Sequence, residues 1–234
     1  MDFLNNNRSA QYGPMAQGFM ARVYSWMCGG LFFTGAMAYM VSPEVNPKIF
    51  MALINGPIWV LMFVLLGIHV YFSAAFKSMS YSTAVGLFVA YAGLNGIFLS
   101  PLFAIYTQSS LVYTFAIAAG MFGFMAVYGM VTRQDLSGLG NILFMGLIGL
   151  IICNFVNIFV QSASFDLGIA FVGVAVFTLL TAYQVQQLKM FSRFAVGSEE
   201  EFGKFALLGA FSLYLTLINI FLHLLRFMGE KKRN

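Results

Sequence analysis

Residues 78–132 read SMSYSTAVGLFVAYAGLNGIFLSPLFAIYTQSSLVYTFAIAAGMFGFMAVYGMVT, and these 55 residues contain no charged side chain. One helix needs roughly 20 apolar residues to cross the hydrocarbon layer of a membrane, so the interval is long enough for two crossings. The polar run Thr107–Ser110, near its middle, indicates the turn between them. The stretch therefore predicts two membrane helices, near 81–105 and 110–131.

The same charge-free spacing recurs along the rest of the chain. Charged residues bound five further intervals of 21 to 30 residues, each sufficient for one crossing, because ionisable groups are costly in hydrocarbon. These intervals predict helices near 22–42, 49–72, 139–160, 166–188 and 204–228. The expected fold is an all-α integral membrane protein, a seven-transmembrane-helix bundle. Its expected divisions are a polar tail (1–21), the membrane domain (22–228) and a basic tail (229–234).

Composition supports a lipid environment. Of the 234 residues, 60% are hydrophobic and 9% are charged, whereas soluble domains carry about 25% charged residues. The strands of a membrane β-barrel would alternate apolar and polar residues. The stretch from Phe171 to Leu180 is apolar at both odd and even positions, which argues against a barrel. The basic residues are scattered singly, which is not the dense patch typical of nucleic-acid binding. The expected partner is the lipid bilayer.

Lysine and arginine in the loops indicate the orientation, since cytoplasmic loops are enriched in them. With a cytoplasmic N-terminus, the opposite loops hold only Lys48, and the cytoplasmic side holds Arg8, Arg22, Lys77, Arg133, Lys189, Arg193 and Lys204. The C-terminal cations, from Arg226 to Arg233, conflict with this assignment. Either the tail is short enough to be exported, or one late segment enters the membrane and returns.

Six polar residues inside the predicted spans are candidates for lining a cavity: Asn95, Gln184, Thr216, Asn219, His223 and Arg226. The last four follow one another at spacings of three and four, which places them on one helix face. Such a face should meet protein or water rather than lipid. For each amide the alternative is a hydrogen bond between helices.

Pairs of small residues four positions apart predict where helix backbones approach closely. They are Gly86 with Ala90, Ala116 with Gly120, and Ala119 with Gly123. Neither a metal site nor catalysis is expected. The two histidines have no cysteine or carboxylate near them in the spans, and no nucleophile, metalloprotease or phosphate-loop motif occurs. We therefore expect no enzyme and no cofactor.

Several motifs resemble those of the bacterial Bax inhibitor family, in the family's order, between about Tyr24 and Arg226. They are LNGIFLSP (94–101), AGMFG (119–123), TRQDLS (132–137), LFMGLIG (143–149), TAY (181–183), and LYL (213–215) followed by Ile218-Asn219. The resemblance implies seven helices with the seventh at the centre and a pH-sensitive calcium leak. In eukaryotic relatives it implies suppression of cell death, and in some bacterial relatives modulation of a membrane AAA protease.

The chain departs from the family at the residues that sense pH. The family's two aspartates, after Thr-Ala-Tyr and Leu-Tyr-Leu, are Gln184 and Thr216 here, and the arginine of its Ser-Ala-Arg pattern is Ala75. Two adjacent carboxylates share a proton and so respond to pH, whereas an amide and a hydroxyl do not.

The expected function is therefore a cation leak or channel, with calcium as the ion and without this pH sensor. The alternative is a non-transporting regulator that binds other membrane proteins, such as a membrane AAA protease. The segment Lys189–Lys204, with Glu199-Glu200-Glu201, is the one sizeable loop expected outside the lipid, and it is a candidate contact for a partner.

Overall fold

A computed structural model describes residues 2–56, 58–76, 78–194 and 199–232, and within these ranges the chain is helical with no strand. The helices are α1 (Asp2–Met40), α2 (Pro47–Asn55), α3 (Ile58–Ala75), α4 (Tyr81–Leu99), α5 (Leu102–Ile105), α6 (Gln108–Val131), α7 (Ser137–Val160), α8 (Ala163–Phe194) and α9 (Glu199–Met228). In the described ranges, six helical stretches are long and apolar enough to cross a membrane. They are α3, Tyr81–Ile105, α6, α7, most of α8, and α9. The predicted all-α membrane architecture is confirmed.

Two of the predicted helices are interrupted. The prediction of one helix over 49–72 is wrong, because α2 ends at Asn55 and α3 begins at Ile58. Gly56 has extended backbone angles (φ −83°, ψ 173°), as expected for a residue that precedes a proline. The helix expected over 81–105 likewise divides into α4 and α5 at Pro101, which has no N–H to donate to the preceding turn.

Three helix boundaries also differ from the predictions. The loop expected from Lys189 to Lys204 is mostly helical, since α8 continues to Phe194 and α9 begins at Glu199. The three glutamates form the first turn of α9, where negative side chains stabilise the helix dipole. The first helix begins at Asp2 rather than near residue 22, because it continues through the segment expected to form a polar tail. The division of the chain at residues 21 and 228 stays a prediction.

The chain divides into two compact units. The first unit comprises Met1–Gln17, Gln108–Ala195 and Ser212–Glu230, and the second comprises Gly18–Thr107, Val196–Phe211 and Lys231–Asn234. Helix α9 contributes its N-terminal part to the second unit and its C-terminal part to the first.

In the first unit, α8 packs against α6 and α7 through their glycines. A Cβ atom on Gly129 of α6 would overlap the backbone of Ala182, and one on Gly140 of α7 would lie 2.8 Å from the Tyr183 ring. Because these glycines leave room, neighbouring backbones come close and residues 182–184 of α8 have fixed surroundings.

In the second unit, α4 packs against α1 in the same way. A Cβ atom on Gly96 would overlap α1 at Thr34 and Met37, and the Thr34 hydroxyl donates to the Ala92 carbonyl at 2.9 Å. At the N-terminal part of α9, the Phe211 ring contacts those of Phe72 and Tyr91, with centroids 4.7 and 4.9 Å apart. Helices α3, α4 and the start of α9 therefore share an aromatic core, against which α1 packs through α4.

The close approaches do not occur at the small-residue pairs chosen from the sequence. A Cβ atom on Gly86, Gly120 or Gly123 would meet no heavy atom of another element within 4 Å. The prediction was wrong because small-residue spacing identifies a possible contact face, while the neighbouring helices decide which face is covered.

Lys232, which follows α9, is held beside the connection between α1 and α2. The Lys232 ammonium lies 2.8 Å from the Glu44 carboxylate and donates to the Phe103 carbonyl at 2.8 Å. The Lys232 backbone N–H donates to the Ile105 carbonyl at 2.9 Å. All of these residues belong to the second unit, so Lys232 and the α1–α2 connection lie at the same end of it.

Gly129→Ala and Gly120→Ala, both in α6, form a matched pair. We expect Gly129→Ala to destabilise the protein by about 1–3 kcal/mol, because the new methyl group overlaps Ala182. Gly120→Ala should be neutral or stabilise by up to about 1 kcal/mol, since alanine favours helix. Thermal unfolding in detergent measures both, and equal effects would contradict the packing described for α6 and α8.

Candidate functional site

Gln184 of α8 and Thr216 of α9 form a hydrogen bond between the two helices. The Thr216 hydroxyl donates to Gln184 Oε1 at 2.9 Å, and Gln184 Nε2 donates to the Ser212 hydroxyl at 3.0 Å. Thr216 Oγ1 also lies 3.1 Å from the Ser212 carbonyl, one turn earlier in its own helix. Both ends of the Gln184 amide are therefore satisfied by α9.

This network carries no charge. An amide neither gains nor loses a proton near neutral pH, and the same is true of a hydroxyl. Thr216 is buried, so a hydrogen-bond partner is needed to offset the cost of removing its hydroxyl from water. The side chains of Gln184, Thr216 and Ser212 therefore join α8 to α9 by polar contacts that do not depend on pH.

Asn219 and His223 continue along α9. The Asn219 amide donates to the Leu215 carbonyl of its own helix at 2.8 Å. The buried His223 ring stacks on Phe177 of α8, with centroids 5.5 Å apart, and occupies the space opposite Gly173. A Cβ atom on Gly173 would lie 2.6 Å from this ring, so the absence of a side chain at Gly173 provides the space for His223. Whether these residues line a cavity stays a prediction.

Arg226 ends the polar stripe in a cluster with α7 and α8. Its Nη1 atom donates to Asn154 Oδ1 at 2.9 Å and lies 3.5 Å from Asp166 Oδ1. The Asn157 amide donates to the same Asp166 oxygen at 3.4 Å. Asp166 is the one acidic residue between Asp135 and Glu199, and this isolation is the sequence signal that could have identified it as the partner of Arg226.

Asn95 belongs to a different compact unit from the other five candidates. It is buried in α4 and belongs to the second unit, whereas Gln184, Thr216, Asn219, His223 and Arg226 all belong to the first. Within the first unit the structure brings the candidates together as three local groups along α9: the Gln184–Thr216 network, the packed His223 ring and the Arg226 cluster.

The α6–α7 loop, residues 132–136, is fixed by α8, a feature the sequence did not predict. Gln186, which is buried, donates to the Gln134 carbonyl at 2.7 Å and accepts from the Leu136 N–H at 2.8 Å. The Lys189 ammonium donates to the Met130 carbonyl at the end of α6. Hydrogen bonds from Ser137 hold the pKa of Asp135 below its ordinary value, so this carboxylate stays ionised.

The helices and the site define an integral, multi-pass helical membrane protein with uncharged hydrogen bonding between two of its helices. Residues 16–233 match the family described as inhibitor of apoptosis-promoting Bax1. The chain belongs to this Bax inhibitor family, which confirms the resemblance found in its motifs.

Similar proteins cover nearly the whole chain. Inner membrane protein YbhL of Escherichia coli (strain K12) is 36% identical over 219 residues, which are 92% of this chain and 93% of YbhL. A protein of Rickettsia prowazekii is 40% identical over 215 residues, 92% of this chain and 90% of that protein. A protein of Borreliella burgdorferi is 37% identical over 216 residues, 92% of this chain and 93% of the relative.

A double-mutant cycle tests whether the Arg226–Asp166 ion pair contributes to stability. We expect Arg226→Gln and Asp166→Asn to be coupled by about 0.5–1 kcal/mol, since both side chains are partly exposed and solvent screens their attraction. The coupling should fall as salt is added. Stability is measured by thermal unfolding in detergent at low and high ionic strength, and strictly additive effects would show that the pair contributes nothing.

Proposed function

We propose that this protein is a cation leak of the Bax inhibitor family, with calcium as the expected ion, that does not respond to pH through the family's carboxylate pair. It would act as a transport protein and not as an enzyme. The observation that carries the proposal is the Thr216–Gln184 hydrogen bond of 2.9 Å, which stands where the resemblance places two aspartates.

The replacement is coherent in energetic terms. Loss of one member of a buried charged network strands an unpaired charge, at a cost of about 3–5 kcal/mol. Here Gln184, Thr216 and Ala75 replace all three charges of the family's network, so none is stranded. The Gln184 amide instead has partners at both ends, which supports a contact that holds α8 to α9 at any physiological pH.

We also propose that α1 is a seventh crossing, that α9 is central, and that the N-terminus faces the cytoplasm of a bacterial inner membrane. Residues 23–43 carry no charge, and α9 is the most buried of the six candidate spans, at 67% of its most apolar window. The Lys232–Glu44 contact supports an exported C-terminus. Two cations that conflicted with this orientation, Arg226 and Lys232, each have an acidic partner.

A non-transporting regulator is the second candidate, favoured by the way the polar groups are used. Gln184, Thr216 and Ser212 satisfy one another, so these oxygens are engaged before any ion approaches. Such a protein would act by binding other membrane proteins, for example a membrane AAA protease. Co-purification of that protease by a protein that conducts no ions would favour this candidate.

Calcium flux into liposomes tests the leak. Purified protein is reconstituted into vesicles that contain a calcium-sensitive dye, and the rate is followed from acidic to neutral pH. We expect a flux above that of protein-free vesicles, with no titration step, because neither Gln184 nor Thr216 changes protonation in this range. A steep change with the pH dependence of a carboxylate pair would contradict the missing sensor, and the absence of flux would contradict the leak.

Two double variants sharpen this test. Gln184→Asp with Thr216→Asp restores two adjacent carboxylates, which should share a proton and make the flux dependent on pH. The matched control, Gln184→Leu with Thr216→Val, removes the same hydrogen bond without adding a titratable group. It should change the rate at all pH values alike. A pH response in the control would show that another group is the sensor.

A further inference from the structure

A cleft of about 480 Å³ opens where α6 ends, between the α6–α7 loop and α8. Its walls include Val131, Thr132, Arg133, Asp135, Lys189 and Met190. All of these residues belong to the first unit. Because α6 is one of the candidate spans and ends at Val131, we expect the cleft to lie near the membrane surface.

The cleft is built on a fixed backbone. The buried Gln186 side chain forms two hydrogen bonds to the loop, at Gln134 and Leu136, and Thr132 Oγ1 accepts from the Gln134 N–H at 3.3 Å. A loop that is already ordered loses little conformational freedom when a ligand binds. The positions of the charged residues on this loop are therefore set before binding.

The charges of the cleft favour an anion. Arg133 is exposed and forms no hydrogen bond or ion pair with any residue in the described ranges. The Lys189 ammonium donates to the Met130 carbonyl, which leaves two of its three hydrogens for other acceptors. Asp135 offsets one of these two positive charges, and one of its oxygens accepts from the Ser137 N–H. The net charge of the three side chains is positive.

We propose that this cleft binds the phosphate of an anionic phospholipid headgroup, such as that of phosphatidylglycerol. The Arg133 guanidinium matches the geometry of a phosphate, and Lys189 supplies a second positive charge from α8. Val131 and Met190 give apolar surface for the glycerol and the first acyl carbons. Basic pockets between helices at the membrane surface are typical of such lipid sites. The site does not depend on whether the protein conducts ions.

Native mass spectrometry of the detergent-solubilised protein tests this site. Phosphatidylglycerol and phosphatidylcholine are titrated separately, and the bound fraction is measured for wild type, Arg133→Gln and Arg22→Gln. We expect wild type to prefer phosphatidylglycerol, and Arg133→Gln to weaken its binding about tenfold, since one charge-assisted contact is lost. Arg22→Gln removes the same charge from an exposed ion pair with Glu199, outside the cleft, and should bind like wild type.

Three results would overturn the proposal. Equal affinity of wild type for the two lipids would show that the headgroup charge is not recognised. An equal loss in Arg133→Gln and Arg22→Gln would show a general effect of protein charge. Displacement of the lipid by soluble glycerol phosphate at comparable concentration would assign the cleft to a soluble phosphate. Thermal unfolding of Arg133→Gln should match wild type, because this side chain has no partner to lose in the described ranges.

Discussion

The hydrocarbon of a bilayer offers no hydrogen-bond partner, so each polar group inside it must be satisfied by the protein. This constraint explains the helices themselves, whose backbone bonds are internal, and it explains the polar contacts between several of them. In the described ranges, Nδ1 of His69 and Nδ1 of His223 are exceptions, because each is buried with no hydrogen-bond partner. Between α8 and α9, Thr216 and Ser212 use both ends of the Gln184 amide. Arg226 and Lys232, toward the C-terminus, meet the carboxylates of Asp166 and Glu44.

Helix α8 organises the polar chemistry of the first unit. Ala182 meets the glycine of α6, Gln184 bonds to α9, and Gln186 holds the α6–α7 loop. One turn further, Lys189 donates to the end of α6. The same helix thus connects the uncharged network that we propose replaces a pH sensor and the cleft that we propose binds a lipid phosphate. A displacement of α8 would therefore change the geometry of both the uncharged network and the cleft.

Much of this architecture could be predicted from the sequence, because the cost of a charge in lipid makes charged residues mark the ends of spans. Four of the seven predicted helices, α6 to α9, appear as single helices close to their expected positions. Helix α1 is single but begins about twenty residues earlier than expected, and α2 with α3 and α4 with α5 divide the other two. The partners of Arg226 and the true glycine contacts could not be predicted. These contacts depend on which helices are neighbours in the fold, and a single sequence does not determine this. The contact of Gln186 with the α6–α7 loop was also not predicted. The clearest sequence signal for it was a polar residue shortly after the TAY motif of the family.

Our central proposal is that the chain crosses the bilayer an odd number of times, with α1 as one of the crossings. Labelling with a membrane-impermeant maleimide tests it most directly, on a Cys28→Ala, Cys153→Ala background carrying Ser9→Cys or Asn234→Cys. We predict that position 234 reacts from outside spheroplasts and that position 9 reacts only in inverted vesicles, because Lys232 lies beside Glu44 at the far end of α1. Labelling of both positions from the same side would contradict the account.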